Sequence, residues 1–359
     1  MKKGYKYFFS PQPTAQKKNE YIDHFYATLS KRAHVVNYRK KAISISADYL
    51  RYSMQADVMI LNWPEDILHL RFGIIQFLIS FIVLTFFKLK GGKIVWICHN
   101  KESHNKQYKW LRIITRSFFT RISNAIIVLS KDAISHFLKI KHKVYFLNHP
   151  VYQNPELINQ NTTDAPTDVL IWGNISPYKG LNEFIDSYRK HKNTFGVKII
   201  GHADKKYLEI IKLKAKDLNI DITDKFLSPD ELIYFFKRSK IILFTYGDRD
   251  TFSSGALIHS LSSNKIIIGP AIGNFLDLNQ SGACFVYEDF TNLFIIIERL
   301  LEDQNYYEFE LTKARKGIRS YYDLNSWEQF IDRFLQIINN NAQHTSINKK
   351  IPGAVNQFN

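Results

Sequence analysis

Two successive series of short β-rich runs, each alternating with stretches of helical period, predict an α/β chain of two facing, doubly wound Rossmann-like domains. Parallel sheets with a cleft between them follow from that pattern. Two further observations support it. The 359 residues exceed one ordinary domain of roughly 100–200 residues. Residues 152–167, YQNPELINQNTTDAPT, are polar, carry two prolines and lack periodicity, as a linker would. Hydrophobic content of 45% with 23% charged residues is globular and excludes a disordered tail, a collagen or a disulfide scaffold. Cys98 and Cys284 alone make no disulfide framework, which suits a reducing compartment.

In order along the chain, strands are expected at 6–9, 34–37, 58–61, 93–98, 125–129 and 144–147. After the linker they are expected at 169–172, 197–200, 240–244, 265–268 and 284–286. Residues 1–155 then form the first domain, 156–323 the second, 324–340 a C-terminal helix returning toward the first, and 341–359 a flexible polar tail. The helix is read from LNSWEQFIDRFLQII, where Trp327, Phe330, Phe334 and Ile337 recur at helical spacing. Residues 72–87, FGIIQFLISFIVLTFF, are nearly all apolar but fall short of the roughly 20 residues a bilayer span needs. A largely buried helix is expected there, with a helix leaning on the membrane interface and a true span as the alternatives. The N-terminus, MKKGYKYFFSPQP, has no apolar run before Ser10, so no secretory signal and a cytoplasmic location are expected.

The charge is unevenly placed. Residues 1–155 hold 25 basic and 8 acidic side chains, net +17, and residues 156–359 hold 24 and 25, net −1. A strongly basic half beside a neutral one offers different partners on each, and the basic half attracts phosphate on nucleic acid or anionic lipid. Nucleic-acid binding would place basic and aromatic residues together on an exposed face. The aromatics here lie mostly at core spacing, so no nucleic-acid partner is expected.

In open parallel sheets, ligands bind beyond the carboxyl ends of the strands. After the strand at 169–172 comes WGNISPYKGL, where Gly173 permits close approach and Lys179 opens a helix whose N-terminus favours anions. An ordinary strand-to-helix turn with a solvated lysine reads equally well there. Ser253, Ser254 and Gly255 precede the apolar ALIHSL, as a helix cap that binds anions would, although Ser is a common cap anywhere. In the first half, His99 and Asn100 follow KIVWIC, and Trp63 and Glu65 lie in NWPE. A histidine there could serve proton transfer or a sugar hydroxyl, or be a structural residue. The polar segment 10–22, with Asn19 and Tyr21, reads as an acceptor-recognition loop or a plain one.

Together these segments resemble the retaining-type GT-B glycosyltransferases of bacterial polysaccharide and lipopolysaccharide synthesis, in particular the subgroup with an HWPE motif. NWPE looks like HWPE, IVWICHN like IVWTVHN, AIIVLSKDA like AxxVIVHSE, and WGNISPYKGL like GRIxPYKGL; the likeness runs to about Asp332. It implies a donor-diphosphate contact at Lys179, with Gly173 and Asn174 beside it. Phosphate binding falls on Ser253, Ser254 and Gly255, and the cleft histidine on His99. Loops near Gly201 and Phe226 would read the base, and Asn19, Tyr21, Trp63, Glu65 and Asn100 would lie on the acceptor side. Two departures stand out. Asn174 replaces the usual Arg, and the family's glutamate pair falls on Thr251 and His259, so no carboxylate is expected on the ribose and His259 is the residue left to bond it.

The resemblance implies hexosyl transfer from a nucleotide-diphosphate sugar, GDP-mannose or a UDP-hexose, to a lipid-linked or oligosaccharide acceptor. No metal and no cofactor beyond the donor are expected. The basic half would meet anionic membrane, giving a peripheral protein on the inner face. No compact carboxylate pair argues for a glycosidase. Should transfer invert the anomeric centre, Asp23 or Glu65 would be the candidate base. The rival reading is a non-catalytic relative that serves as a binding or scaffold subunit.

Overall fold

The computed structural model describes residues 4–13, 19–101, 109–152, 166–192, 195–247 and 252–343. The linker, Thr251 and the tail from residue 344 fall outside them for all but the linker's ends. Two six-stranded sheets form the frame, and every pairing in them is parallel. The first contains β1 (Lys6–Ser10), β2 (His34–Val35), β3 (Val58–Asn62), β4 (Lys93–Cys98), β5 (Ala125–Val128) and β6 (Val144–Phe146). The second contains β7 (Thr167–Trp172), β8 (Val197–Gly201), β9 (Ile220–Asp224), β10 (Ser239–Leu243), β11 (Ile266–Pro270) and β12 (Phe285–Tyr287).

Their orders are β2-β1-β3-β4-β5-β6 and β12-β11-β10-β7-β8-β9. Each order reverses direction once, between β1 and β3 and between β7 and β10. At such a reversal the loops leave the strand ends on opposite sides and open a crevice. β9 is the strand that sequence pattern does not reveal. IDITD lies at the sheet edge and is half exposed, so its alternation reads as polar loop rather than buried strand.

The helices of the first half are α1 (Glu20–Arg32), α2 (Ile45–Tyr52), α3 (Gly73–Leu89) and α4 (Lys109–Ile122). Those that follow β7 are α5 (Leu181–Lys190), α6 (Lys205–Ala215), α7 (Pro229–Lys237), α8 (Gly255–Ser260), α9 (Gly273–Gln280), α10 (Phe290–Glu302), α11 (Gln304–Leu324) and α12 (Trp327–Gln343). Helix α1 starts where Asn19 accepts a hydrogen bond from the Ile22 N–H at 3.3 Å. Glu20 and Asp23 in its first turn and Lys31 and Arg32 in its last complement the helix dipole.

The first sheet is covered on one face by α1 and α12, with Phe25 set against Phe330 and Phe334 at ring distances of 5.5 and 5.2 Å. The C-terminal helix therefore completes the core of the first half. The other face carries α2, α3 and α4, with Tyr49, Tyr52, Leu84, Phe87 and Phe119 buried. The second sheet is covered by α5, α6 and α10 on one face, and by α8, α9 and the end of α11 on the other.

Helix α3 departs from the expected buried helix. Gly73, Phe77, Ser80, Val83, Leu84 and Phe87 are buried, whereas Ile75, Leu78, Ile82, Phe86 and Leu89 face outward. The sheet covers one side of a helix that is apolar all round, and among the described residues nothing covers the rest. No described helix is long and apolar enough to cross a membrane.

Candidate active site

At the β7/β10 reversal lies a cavity of about 490 Å³, within the usual range for ligand sites. Strand β7 ends at Trp172, and Gly173 turns the chain with φ 97°. A 3-10 turn, Pro177–Lys179, then leads through Gly180 (φ 68°) into α5. Glycine is needed at 180 and also at 201, at the end of β8. A Cβ would strike the Thr245 carbonyl oxygen from the first and the Gly173 carbonyl oxygen from the second. The β7 and β8 ends therefore touch backbone to backbone, and the cavity floor is main chain.

Lys179 is 6% exposed, and its Nζ lies 3.5 Å from the Trp172 carbonyl oxygen and 5.4 Å from the Tyr246 ring centre. Burial pulls its pKa below the ordinary lysine value, and no described carboxylate pairs with it. Uncompensated buried cations are costly, so a nearby anion would stabilise the charged form of this one. No described residue lining the cavity is acidic.

Opposite Lys179 is the start of α8. The Ser254 hydroxyl accepts from the Leu257 N–H at 3.1 Å and shares a hydrogen bond with Tyr246 at 2.9 Å, while its N–H donates to Asn274 Oδ1 at 3.1 Å. Ser254 is thus an architectural cap whose polar groups are engaged. The N–H groups of Gly255 and Ala256, in the first helical turn, lack intrahelical acceptors, and both residues line the cavity.

Of the candidate residues, Asn100, Gly173, Asn174, Lys179, Gly201, Phe226, Ser253, Ser254, Gly255 and His259 line this one cavity. Asn174 is exposed at its wall, and Phe226 is 80% exposed at its lip. His259 stacks on Tyr152 at 4.2 Å and contacts Glu20 Oε2 through Nε2 at 2.9 Å. A carboxylate from the first half thereby reaches His259, the position that the resemblance aligns with a glutamate. Lys225, Tyr178, Trp172 and Tyr246 also line the cavity and are absent from the sequence reading. Lys225 follows β9, so the unread strand hid it; its charge is shared with Glu231.

The first-half candidates gather in a second, buried group. His99 is 6% exposed and stacks on Trp63 at 4.0 Å, and Tyr21 abuts His99, Trp63, His149 and Trp327. Asn62 Nδ2 donates to the Ser10 carbonyl at 3.2 Å, which turns Oδ1 toward His99 Nε2 at 3.1 Å. That arrangement assigns the proton to Nε2 and leaves the lone pair on Nδ1. Burial, and next His149, push the His99 pKa well below its ordinary value, so the ring is neutral near pH 7. Glu65 lies away from the cavity, in the core, where its Oε2 accepts from Trp96 Nε1 at 3.2 Å. Asn19 is occupied as the α1 cap.

The two halves meet around the cavity. The Lys131 N–H donates to Asp277 Oδ2 at 3.1 Å, and the Gly273 N–H donates to Asp132 Oδ2 at 3.4 Å. Phe252 packs into the first half's core. Among the described residues no group of three or more His, Cys, Asp or Glu is placed to hold a metal ion.

Two six-stranded parallel sheets thus meet around a cavity beyond the carboxyl ends of β7 and β8, where open α/β sheets take their ligands. No family model matches the chain, and no curated protein does. Solved structures do. HepE of Anabaena, in complex with UDP and glucose, is 12% identical with a TM-score of 0.69, covering 94% of this chain and all of that one. Sucrose-phosphate synthase of Thermosynechococcus elongatus is 10% identical with a TM-score of 0.68, covering 94% and 99%. A UDP-forming trehalose-phosphate synthase of Burkholderia vietnamiensis is 11% identical with a TM-score of 0.59, covering 96% and 94%. The chain has the GT-B fold.

Proposed function

We propose that this protein is a glycosyltransferase. It moves a hexosyl residue from a nucleotide-diphosphate sugar, UDP-hexose or GDP-mannose, to a lipid-linked or oligosaccharide acceptor in surface polysaccharide synthesis. One observation carries the reading: the buried Lys179, with no carboxylate partner and no acidic cavity lining among the described residues, at the strand-order reversal of a GT-B fold. HepE was solved with UDP-glucose, which favours a UDP donor.

Transfer breaks the bond between the anomeric carbon and the diphosphate oxygen, and the leaving group gains negative charge. Lys179 and the N–H groups of Gly255 and Ala256 meet that charge from two sides. Lys225 supplies the second cation that Asn174 cannot. The nucleoside lies toward His259, Gly201 and Phe226. In a retaining reaction the departing phosphate takes the acceptor proton, and neutral His99, through its Nδ1 lone pair, orients the sugar rather than removing a proton. The acceptor approaches from the basic first half, with Asn100 on the shared wall. That half rests on an anionic membrane surface at the inner face of the cell membrane.

The second reading is a non-catalytic GT-B relative, favoured by Asn174 and by the lack of a carboxylate among the described lining residues. Measuring nucleoside diphosphate released from a panel of UDP- and GDP-sugars separates the two. Turnover that Lys179→Ala lowers about a hundredfold or more supports transfer, whereas saturable nucleotide binding without turnover on any donor and acceptor supports the second reading.

A further inference from the structure

Helix α3 is covered on one side. Its inner face packs on the first sheet, and Ile75, Leu78, Ile82, Phe86 and Leu89 form an exposed line along the other, about 21 Å long at the helical rise. Helix α4 lies beside it, joined through the Phe81 and Phe118 rings at 4.6 Å, and exposes Trp110, Ile113 and Ile114. A continuous apolar ridge of this kind differs from the scattered hydrophobics of ordinary surfaces.

Charge selects what covers it. Arg71 and Lys90 stand at the two ends of α3, each 5.0 Å over a ring, those of Phe72 and Phe86. Between Ile67 and Lys131 the sequence holds 11 Lys and Arg and a single acidic residue, Glu102. Acyl chains match the ridge, headgroup phosphates match the cationic rim, and no described helix is long and apolar enough to cross a membrane.

We propose that the α3–α4 ridge inserts into the boundary between headgroups and acyl chains of an anionic bilayer. This deepens the membrane part of the proposed function and rests on it, but it requires neither nucleotide nor turnover. Charge alone would give a dock that salt releases; insertion gives one that salt weakens but does not abolish.

The test is flotation with phosphatidylcholine vesicles, with and without phosphatidylglycerol, at low and high salt. The intact protein is expected to float with anionic vesicles and to keep a bound fraction at high salt. Brominated acyl chains should quench part of its tryptophan emission, and Trp110→Phe should remove that part. Leu78→Ser with Ile82→Ser, both at exposed positions, should lower the bound fraction at least about tenfold. Leu213→Ser, at a 75% exposed position on α6, should leave it unchanged. The inference is overturned by equal binding of the double variant or by complete release in salt. A solution dimer that the double variant makes monomeric overturns it too, because a second copy would then cover the ridge. UDP and GDP binding measured on the same samples keeps the readings apart. A protein that binds nucleotide but does not float removes the ridge inference alone, and one that floats without binding nucleotide removes the donor site alone.

Discussion

In the proposed function, Lys179 concentrates the chemistry of the site in one side chain. A buried ammonium without a carboxylate is destabilising until an anion arrives, so Lys179→Met should raise the stability of the ligand-free protein while abolishing its response to nucleoside diphosphate. Paired melting curves with and without UDP or GDP check both halves of that expectation. Glu65 makes a separate, structural test. Burial, and next the neighbouring Asp66, raise its pKa to about 7, against the pull of Arg116 and Trp96. Its folded value lies above its unfolded one. Its contribution is therefore fully present below the ordinary 4.5 and is lost as pH rises through about 7. Glu65→Gln should match the parent in acid and exceed it in stability above about pH 7, by at most about 3 kcal/mol. Denaturant titrations across that range read the difference. Lys179 was legible because a glycine and a lysine follow an apolar run, whereas Glu65 was misleading. NWPE reads as a strand-end motif, and nothing in four letters says that the carboxylate turns inward to an indole 31 positions away.

Among elements, the long apolar strands were legible and β9 was not, because an edge strand carrying Asp221, Thr223 and Asp224 lacks the hydrophobic run that marks a buried one. Losing β9 also lost Lys225, which can be seen as a cavity residue once its strand is placed. Helix α12 was legible from its aromatic spacing, but its partner, Phe25, lies 302 residues earlier than Trp327 and no local pattern links them. Phe334 is fully buried there, so Phe334→Ala should cost about 3–5 kcal/mol and destabilise the first sheet although the change lies at the far end of the chain. Hydrogen exchange over β1 and β4 would report it. At the cavity floor, Gly201→Ala should force the β7 and β8 ends apart, with a loss of about 1–3 kcal/mol and of nucleotide binding together. Unchanged binding would mean that the ligand does not rest on that floor.

In the whole molecule, the two halves differ sharply in charge: net +17 before residue 156 and −1 after it. The basic half turns an apolar, cation-rimmed ridge outward, and the neutral half holds a small number of placed cations in a cavity. Bridges such as Glu20 to His259 and Lys131 to Asp277 close the halves over that cavity. These long-range pairs were invisible in sequence, since a surface Glu and a helix His carry no mark of one another. The division itself was plain from counting charges. The central claim is that the cavity beside Lys179 receives a nucleoside diphosphate, and thermal melting against UDP, GDP and ADP tests it most directly. One diphosphate should raise the melting temperature by about 3–4 °C at a hundredfold excess over its Kd, and Lys179→Ala should erase the shift. No shift with any of the three, or an equal shift in the Lys179→Ala protein, would contradict it.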